Sequence, residues 1–526
     1  MKKTQSFAVG ALVLMIASIA TKVIGAIFKI PLTNLIGADG MGVFSIAYTI
    51  YSTLFVISTA GLPIAISKMV AEANAVGNHK RIKSILKVSL LSFSVIGIIA
   101  SLIMTVFAKP LTELVRNSLA YYAVLAIAPS LFFVSIVSII RGFYQGLSDM
   151  VPTAVSQVLE SAGKLGFGLL FAFILQNKGY SFEICAAGAI FGVTLGTLMS
   201  AVYLFFIVGR KIKEYRDVSA DEQFIPLAKS IVKMAVPVTV GSAVLSLTNL
   251  IDMFLVMNRL QSAAGFSEMM ANKLYGAYNM SVTLYNLPQT FVVAISVSII
   301  PAISTYIAKN NRIKTAETIG SAFRLASMIA FPAGIGFLIL SKPILDLLYY
   351  SRPEDVVIAA PLLSYLGIAV MFIALVSLSN SVLQAIGKIN VPVFTMLIGG
   401  VVKIAANYTL VGNPDINING APIGTMCCYG IIAVLNLIVI KRHYKEISIA
   451  KMFSKTFISA VIMGIFGYLV SQPVSSFMGA KVGIILTIAG CMVIYFLTLL
   501  AIGGFTREDI LMLPKGEKIA KLLRIK

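Results

Sequence analysis

Two lysines in the first apolar run of the sequence are spaced for binding an anion. Lys22 and Lys29 lie seven residues apart, which is about two helical turns and about 10 Å along a helix, so both face the same side. No acidic residue precedes Asp39, and the pair therefore forms a basic stripe. A charge at the bilayer centre costs roughly 3 kcal/mol or more and usually marks a pathway or an ion pair. A pyrophosphate group would suit this stripe; the alternative is that both lysines extend towards the membrane surface.

Two more lysines lie deep in apolar runs, each near a polar residue. Glu160 precedes Lys164 by four residues, a spacing that favours an ion pair on one helix. These two residues are therefore either a self-neutralised structural pair or part of a site. Lys403 is followed one turn later by Asn407, and it corresponds to Lys164 in the internal repeat described below. This correspondence favours a cavity location for Lys403.

An acidic residue in a later apolar run suggests a second kind of site. Asp252 follows Asn249 by about one turn. Two interpretations remain open: the carboxylate is a coupling-ion ligand or a counter-charge to a cavity lysine, or it pairs with Arg259 at the end of its helix. Glu160 and Asn407 are candidates for the same role. The sequence does not distinguish Na⁺ from H⁺ as the coupling cation.

The remaining chemistry-bearing residue types argue against an enzyme. There is no G-x-x-x-x-G-K-[ST] motif for nucleotide phosphates. The two histidines, His79 and His443, lie in basic loops, and the four cysteines fall inside apolar runs without a CxxC pair or the spacing of secreted disulfides. We therefore expect no metal, no cofactor and no covalent catalysis. The formal charge of +21 resides mainly in short loops between apolar runs, which argues against a nucleic-acid partner.

These residues lie in a chain whose composition is typical of a membrane protein. The chain is 58% hydrophobic and 12% charged, with a mean hydropathy of +0.93, whereas soluble domains have about 25% charged residues. A bilayer needs about 20 apolar residues per helix. We predict an all-α polytopic membrane protein with about fourteen spans: 7–36, 43–70, 84–108, 118–140, 151–176, 184–209, 230–257, 275–306, 318–341, 356–386, 391–412, 419–440, 453–473 and 481–503.

The loops predict the orientation of these spans. With the N-terminus in the cytoplasm, most lysines and arginines fall on the cytoplasmic side, as the positive-inside rule requires. We therefore predict a multi-pass membrane protein with both termini in the cytoplasm; the family resemblance described below implies that the membrane is the bacterial plasma (inner) membrane. Membrane lipid surrounds such a chain, and we expect it to function as a monomer.

The sequence also repeats itself in order. Arg-Ile-Lys occurs at 81–83 and at 312–314, and Lys-Pro at 109–110 and 342–343. We predict two six-helix lobes of parallel orientation related by a pseudo-two-fold axis, at 1–216 and 217–445, then two extra helices at 446–505 and a basic cytoplasmic tail at 506–526. Substrate sites tend to lie between such repeats. Gly188, Gly192 and Gly196 form a double G-x-x-x-G typical of close helix packing.

Several segments resemble a known family. The stretches KVIGAIFKIPLTNLIGADGMGVFSIAYTIY at 22–51, STAGLPIAISKMVAE at 58–72, AVPVTVGSAVLSLTNLIDMFLV at 235–256 and YNLPQTFVVAISVSIIPAIS at 285–304 are similar to the polysaccharide biosynthesis (SpoVB/YtgP-like) branch of the MOP exporter superfamily. Relatives include MurJ-type lipid II flippases, O-antigen flippases and multidrug antiporters of the MATE kind.

The resemblance implies a flippase that exports an undecaprenyl-pyrophosphate-linked saccharide, most specifically lipid II, by alternating access, with cell-wall synthesis proteins as possible partners. In MurJ relatives a cationic cavity binds the pyrophosphate, and the last two helices form a groove for the lipid tail. Lys22 falls where those relatives carry an arginine, whereas Thr283 falls where they carry a second one. The expected substrate-binding set here is therefore Lys22, Lys29, Lys164 and Lys403.

Two other functions fit the same sequence features. A cation-coupled multidrug antiporter would need a cavity dominated by acids. A non-transporting membrane scaffold for cell-wall or spore-coat synthesis would tolerate substitutions in its cavity but not deletion of its loops.

Overall fold

Every regular element that the structure describes is helical, as the predicted all-α architecture requires. The structure, a computed structural model, describes residues 7–213 and 224–504. Two short 3-10 turns lie at Ser118–Ala120 and Asn417–Asn419. The α-helices are α1 (Phe7–Thr59), α2 (Leu62–Ala75), α3 (His79–Val106), α4 (Ala108–Leu114), α5 (Tyr121–Ile127), α6 (Ser130–Gly146), α7 (Val151–Asn177), α8 (Phe182–Lys213), α9 (Phe224–Ser262), α10 (Glu268–Ala308), α11 (Arg312–Leu348), α12 (Pro353–Ala385), α13 (Asn390–Leu410), α14 (Gly420–His443), α15 (Ile449–Met478) and α16 (Ala480–Ala501).

The structure contains fewer helices that could span a membrane, judged by their length and composition, than the sequence predicts. Among the described residues eleven helices are long and apolar enough to cross a membrane, or twelve if the bent pair Ser118–Ile127 and Ser130–Gly146 forms one span. The predicted count of about fourteen is not confirmed. Part of the difference lies in Leu12–Ala75, which counts once although Gly37 breaks α1 with φ 70°. Glycine adopts this backbone conformation without the steric cost of a Cβ.

The repeated Arg-Ile-Lys motif lies at the start of a helix in both copies. The Asn78 side chain accepts a hydrogen bond from the backbone N–H of Arg81 at the start of α3, at 3.0 Å. The Asn311 side chain accepts one from the N–H of Lys314 at the start of α11, also at 3.0 Å. Such caps satisfy backbone donors that have no partner within the helix and contribute about 1 kcal/mol each.

The chain divides into two compact units. The described residues up to Gln261, with Phe266–Asn279, form the first unit; Ser262–Gly265 and the described residues from Met280 onwards form the second. This division places α9 in the first unit, whereas the internal repeat assigns 217–445 to a second lobe. The lobe boundaries inferred from the repeat stay a prediction, and the basic tail at 506–526 lies outside the described residues.

Specific contacts explain why α9 belongs to the first unit. Leu227, Ile231 and Ala235 of α9 are buried in an apolar cluster with residues of α2, α3 and α6. The backbone N–H of Gly61 donates to the Thr239 hydroxyl at 3.0 Å. These contacts bury part of the apolar side of α9. Between membrane helices such contacts stabilise the unit by van der Waals packing and hydrogen bonds.

The predicted close packing face on the sixth span is confirmed, and it lies between α7 and α8. A Cβ on Gly192 would lie 2.3 Å from the backbone nitrogen of Gly168, and a Cβ on Gly196 would lie 2.5 Å from the Glu160 carbonyl oxygen. Only glycine permits this approach, because any side chain would overlap backbone atoms. The approach fixes the segment of α7 that carries Glu160 and Lys164 against α8.

Candidate functional site

A cavity of about 220 Å³ lies within the first unit. Its walls come from α1 on both sides of the Gly37 break, from α7 and from α8. The lining residues are Thr21, Gly25, Phe28, Tyr48, Tyr51, Glu160, Ser161, Lys164 and Val193. The cavity therefore combines aromatic rings with one acidic and one basic side chain.

The Lys164 ammonium lies among aromatic rings. Its Nζ is 4.6 Å from the centre of the Tyr48 ring, 5.2 Å from that of Phe28 and 5.8 Å from that of Phe44. Ring faces carry partial negative charge and attract a cation within about 6 Å, by roughly 0.5–2 kcal/mol. The rings thus stabilise the ammonium group without neutralising its charge.

Glu160 is paired with Arg141 of α6. The Arg141 Nη2 donates to Glu160 Oε2 at 2.8 Å, and its Nε donates to the Ser156 hydroxyl at 2.8 Å. A weaker contact of 3.4 Å joins the same Nη2 to the Ser200 hydroxyl. The side chains of Arg141 and Glu160 are 16% and 29% exposed, so the pair is largely shielded from solvent and its charges neutralise each other.

The ion pair between Glu160 and Lys164 that their spacing favours does not form in the structure. Within the described residues, Lys164 has no carboxylate within 4.0 Å, although Glu160 lies one turn earlier on the same helix. Arg141 takes the carboxylate because its planar guanidinium bonds Glu160 and Ser156 at the same time. Two cations and one anion leave the cluster with one net positive charge, held by Lys164 at the cavity wall.

Two glycines shape the surroundings of Lys164. Gly168 allows the Phe28 ring to approach α7, since a Cβ there would lie 2.7 Å from that ring. Gly25 lines the cavity, and a Cβ there would meet no atom within 4 Å. The space beside Gly25 is therefore open to a ligand group.

The two lysines of the first span lie near this cavity but do not line it. Lys22 is exposed and Lys29 is half-buried on the same side of α1. Lys29 is close enough to Lys164 for their charges to repel each other. The structure thus brings Lys29 towards Lys164 and leaves Lys22 on the surface of α1.

The other predicted site residues lie elsewhere. On α9, Asp252 is half-buried and Asn249 is exposed. In the second unit, Lys403 of α13 is half-buried, and Asn407 is fully buried where α13 meets Gly424 of α14. Of the four predicted substrate lysines, the cavity contains Lys164 alone.

Several residues with functional potential are not among those predicted from the sequence. Arg141 directly follows the predicted span 118–140 and so lies outside it, yet in the structure it is on α6 and pairs with Glu160. The aromatic residues Phe28, Tyr48 and Tyr51 line the cavity, but nothing in the sequence distinguishes them from other apolar positions. Arg324 lies inside the predicted span 318–341 and contacts the Ser321 hydroxyl at 2.7 Å. An arginine at this depth in an apolar run is itself a sequence signal of a pathway or an ion pair.

The arrangement is suited to binding a small anionic group. A phosphate oxygen that entered the open space beside Gly25 would meet an ammonium donor with three N–H groups. Its charge-assisted hydrogen bonds would be roughly twice as strong as neutral ones. The paired Glu160 carboxylate would repel an anion only weakly, because Arg141 already neutralises it.

Comparison with known proteins agrees with this fold. The polysaccharide biosynthesis protein family matches residues 7–307, and the MatE family matches residues 237–409. Stage V sporulation protein B of Bacillus subtilis (strain 168) is 25% identical over 522 residues, covering 97% of this chain and 98% of that protein. The lipid II flippase MurJ of the same organism is 26% identical over 475 residues, covering 87% of each.

A solved structure extends the likeness to three dimensions. The lipid II flippase MurJ in an inward closed conformation has a TM-score of 0.70, covers 93% of this chain and 98% of its own, and is 17% identical. The two MurJ relatives are named as flippases, which are transporters rather than catalytic enzymes. Because the first family matches more than half of the 526 residues, the chain is a multi-pass membrane protein of the polysaccharide biosynthesis protein family, in the SpoVB/MurJ-like branch of the MOP superfamily.

Proposed function

We propose that this protein exports an undecaprenyl-pyrophosphate-linked saccharide precursor, most specifically lipid II, across the bacterial plasma membrane by alternating access. One observation carries the proposal: the cavity of the first unit holds the Lys164 ammonium without a carboxylate partner among the described residues, while its only lining acid, Glu160, is paired with Arg141. A cavity with a net positive charge favours an anionic headgroup.

The similarity to lipid II flippases supports the same proposal. Two curated relatives with that activity in their names are MurJ of Bacillus subtilis and a probable MurJ of Bdellovibrio bacteriovorus, which are 26% and 22% identical to this chain. Lys29 and Lys22 on α1 would add positive charge along the path of the headgroup. Lys403 in the second unit would likewise supply positive charge to the headgroup at a later step of its export.

The test is complementation of a bacterial strain depleted of its lipid II flippase. We expect Lys164→Gln to reduce export at least about tenfold, since a charge-assisted hydrogen bond contributes about 1.5–3 kcal/mol and 1.4 kcal/mol is a factor of ten. Lys164→Arg, which keeps the charge, should retain part of the activity. Lys22→Gln and Lys29→Gln should impair export while the protein still inserts.

The matched control is Lys178→Gln at the exposed end of the same helix, which should complement like the wild type. Lipid-linked intermediates on the cytoplasmic face identify the substrate: accumulation of lipid II supports the proposal, and accumulation of another lipid-linked sugar replaces that substrate. Full complementation by Lys164→Gln together with Lys22→Gln would contradict the cationic-cavity mechanism.

A second candidate is a cation-coupled multidrug antiporter, which the match of the MatE family to residues 237–409 favours. A cationic drug would have to enter an aromatic site that Lys164 already occupies, and it would find no unpaired acid on the cavity wall. Resistance to cationic drugs on overexpression, lost in Glu160→Gln and unchanged in Lys164→Gln, would favour this candidate over the flippase.

A further inference from the structure

The repeated Lys-Pro motif carries an ion pair in both units. On α4 the Lys109 ammonium lies 3.9 Å from the Glu113 carboxylate, and on α11 the Lys342 ammonium lies 2.7 Å from the Asp346 carboxylate. The Glu113 side chain is 59% exposed, whereas that of Asp346 is 41% exposed. Asp346 lines a polar pocket of about 370 Å³ together with residues of α15 and α16. The two helices that follow the internal repeat thus make the second copy of the motif part of a pocket wall.

This pocket lies where three long helices of the second unit end or begin. α11 ends at Leu348, α15 ends at Met478 and α16 begins at Ala480. At its other end α11 begins at Arg312, which bonds Glu446 close to the basic last turn of α14. Since the basic ends of membrane helices lie in the cytoplasm, we expect the pocket to open at the outer surface of the membrane.

The pocket offers both acceptors and donors of hydrogen bonds. Lys342 donates to Oδ2 of Asp346, while Oδ1 of that carboxylate makes no hydrogen bond within the described part of the chain. The side chains of Gln472 and Ser475 also line the pocket and make none among the described residues. The Gln472 amide and the Ser475 hydroxyl can each donate and accept, and the Lys481 ammonium adds donors. A ligand that satisfies all these groups must itself both donate and accept.

Apolar surfaces complete the pocket. They come from the exposed ring of Tyr350 and from Pro343, Pro353 and Ile484. The Lys481 Nζ lies 4.6 Å from the centre of the Tyr350 ring, and this attraction holds the ammonium group at the pocket wall. Apolar walls with a few convergent polar groups are typical of small-molecule sites, and the volume lies near the lower end of their range of about 300–1,000 Å³.

We propose that this pocket binds a sugar ring of the exported saccharide at the outer surface, an inference that rests on the proposed function. A saccharide has the two features that the pocket requires. Its hydroxyl groups both donate and accept hydrogen bonds, and the C–H faces of its rings can pack on the apolar bodies of tyrosine and proline. A fully ionised anion would accept from Lys481 and Gln472 but would leave the Asp346 Oδ1 without a donor. The pocket would thus receive the saccharide on the side to which it is exported.

The experiment is a titration of the full-length protein, in a detergent without a sugar headgroup, with the disaccharide N,N′-diacetylchitobiose, followed by saturation-transfer difference NMR. We expect the disaccharide to bind and inorganic pyrophosphate not to displace it. Gln472→Ala should weaken binding about fivefold. Asp346→Ala should weaken it about tenfold or more, because a hydrogen bond to a charged group contributes more than a neutral one. Tyr350→Ala should weaken it about fivefold by removing the ring on which the sugar packs.

The chain offers two matched controls. Glu113→Ala removes the acidic residue of the same motif in the first unit. Tyr468→Ala removes an exposed ring of α15, one turn before Gln472, that does not line the pocket. Both variants should bind the disaccharide like the wild type.

Equal affinity of the wild type, Asp346→Ala and Gln472→Ala would overturn the site, and so would displacement of the disaccharide by equimolar pyrophosphate. A wild-type protein that complements the flippase-depleted strain but does not bind the disaccharide would overturn the pocket and leave the proposed function standing. Binding that depends on Asp346 and Gln472, in a protein that does not complement, would support a saccharide site and overturn the proposed function instead.

Discussion

The guanidinium of Arg141 lies 2.8 Å from the carboxylate of Glu160, although Lys164 stands one helical turn from that carboxylate. This relationship sets the charge of the cavity in the first unit. If Glu160 paired with Lys164, the wall of the cavity would be neutral. Because Arg141 takes the carboxylate from the adjacent helix, Lys164 keeps its charge within reach of a ligand.

Removal of Arg141 should therefore change both stability and export. In Arg141→Met, Glu160 loses its partner, and we expect the free energy of unfolding to fall by roughly 1–3 kcal/mol, below the 3–5 kcal/mol of a fully buried pair. The freed carboxylate should then pair with Lys164 and reduce export at least about tenfold. Thermal unfolding in detergent and the complementation assay measure the two effects.

The double variant Arg141→Met/Glu160→Gln distinguishes this mechanism from simple structural damage. It removes the pair and leaves Lys164 as the single charge, so we expect it to recover stability and export relative to Arg141→Met. The coupling energy of the cycle gives the strength of the interaction. If the double variant is no more stable than Arg141→Met and exports no more substrate, the role assigned to Arg141 is refuted.

Filling the open space beside Gly25 should block the site without unfolding the protein. A Cβ at Gly25 meets no atom within 4 Å, so Gly25→Leu places its side chain in the cavity. Helix propensity favours leucine over glycine by roughly 0.5–1 kcal/mol. We expect unchanged or higher thermal stability together with loss of complementation.

Gly166→Leu is the control for this variant. Gly166 lies on α7, is exposed, has open space around it and does not line the cavity. It should insert and complement normally. If Gly25→Leu also complements normally, the cavity is not on the substrate path.

The general architecture could be predicted from the sequence because it depends on amino-acid composition and on the lengths and spacing of apolar runs and glycines. Long apolar runs predict helices that the bilayer requires, and the spacing of Gly188, Gly192 and Gly196 predicts a packing face that the structure confirms. The break at Gly37 was predicted as a span boundary, but the nearly continuous helix around it was not. A loop and a kink give similar signals in a sequence, since glycine serves both.

The candidate site was only partly accessible for a different reason. Charge inside apolar runs identified Glu160 and Lys164, but the choice of partner depends on how α6 packs against α7. Arg141 stands at the edge of its predicted span, and a shift of a few residues in that boundary decides between loop and helix. The aromatic residues around Lys164 carry no sequence signal, because phenylalanine and tyrosine are common at apolar positions.

The packing of α8 against α7 should be essential to the position of Lys164. A Cβ on Gly196 would lie 2.5 Å from the Glu160 carbonyl oxygen and 2.7 Å from the Lys164 backbone nitrogen. Gly196→Ala must therefore push the helices apart, and overpacking of this kind costs typically 1–3 kcal/mol. We expect a lower unfolding temperature and weaker export. Gly209→Ala, on the same helix with open space around it, should be at least as stable as the wild type.

A second close approach joins the start of α10 to α1 within the first unit. A Cβ on Gly276 would lie 1.8 Å from the Ala38 carbonyl oxygen. Beside it the Asn272 side chain donates to the Asp39 carbonyl oxygen at 2.7 Å and accepts from the Asn117 side chain at 3.0 Å. The contact is thus held by backbone proximity and by two hydrogen bonds, one buried and one partly buried, next to the Gly37 break.

Gly276→Ala should be among the most destabilising single-methyl substitutions in the first unit, because the methyl group would overlap a backbone oxygen that cannot move without shifting α1. We expect a loss of about 1–3 kcal/mol or more, read as a lower midpoint of thermal unfolding. Asn272→Ala should cost about 1–3 kcal/mol by leaving buried polar groups without partners. Gly241→Ala on α9, where a Cβ meets no atom within 4 Å, should instead raise stability by roughly 0.5–1 kcal/mol. Equal midpoints for Gly276→Ala and Gly241→Ala would mean that α10 does not approach α1 as closely in the membrane as the structure describes.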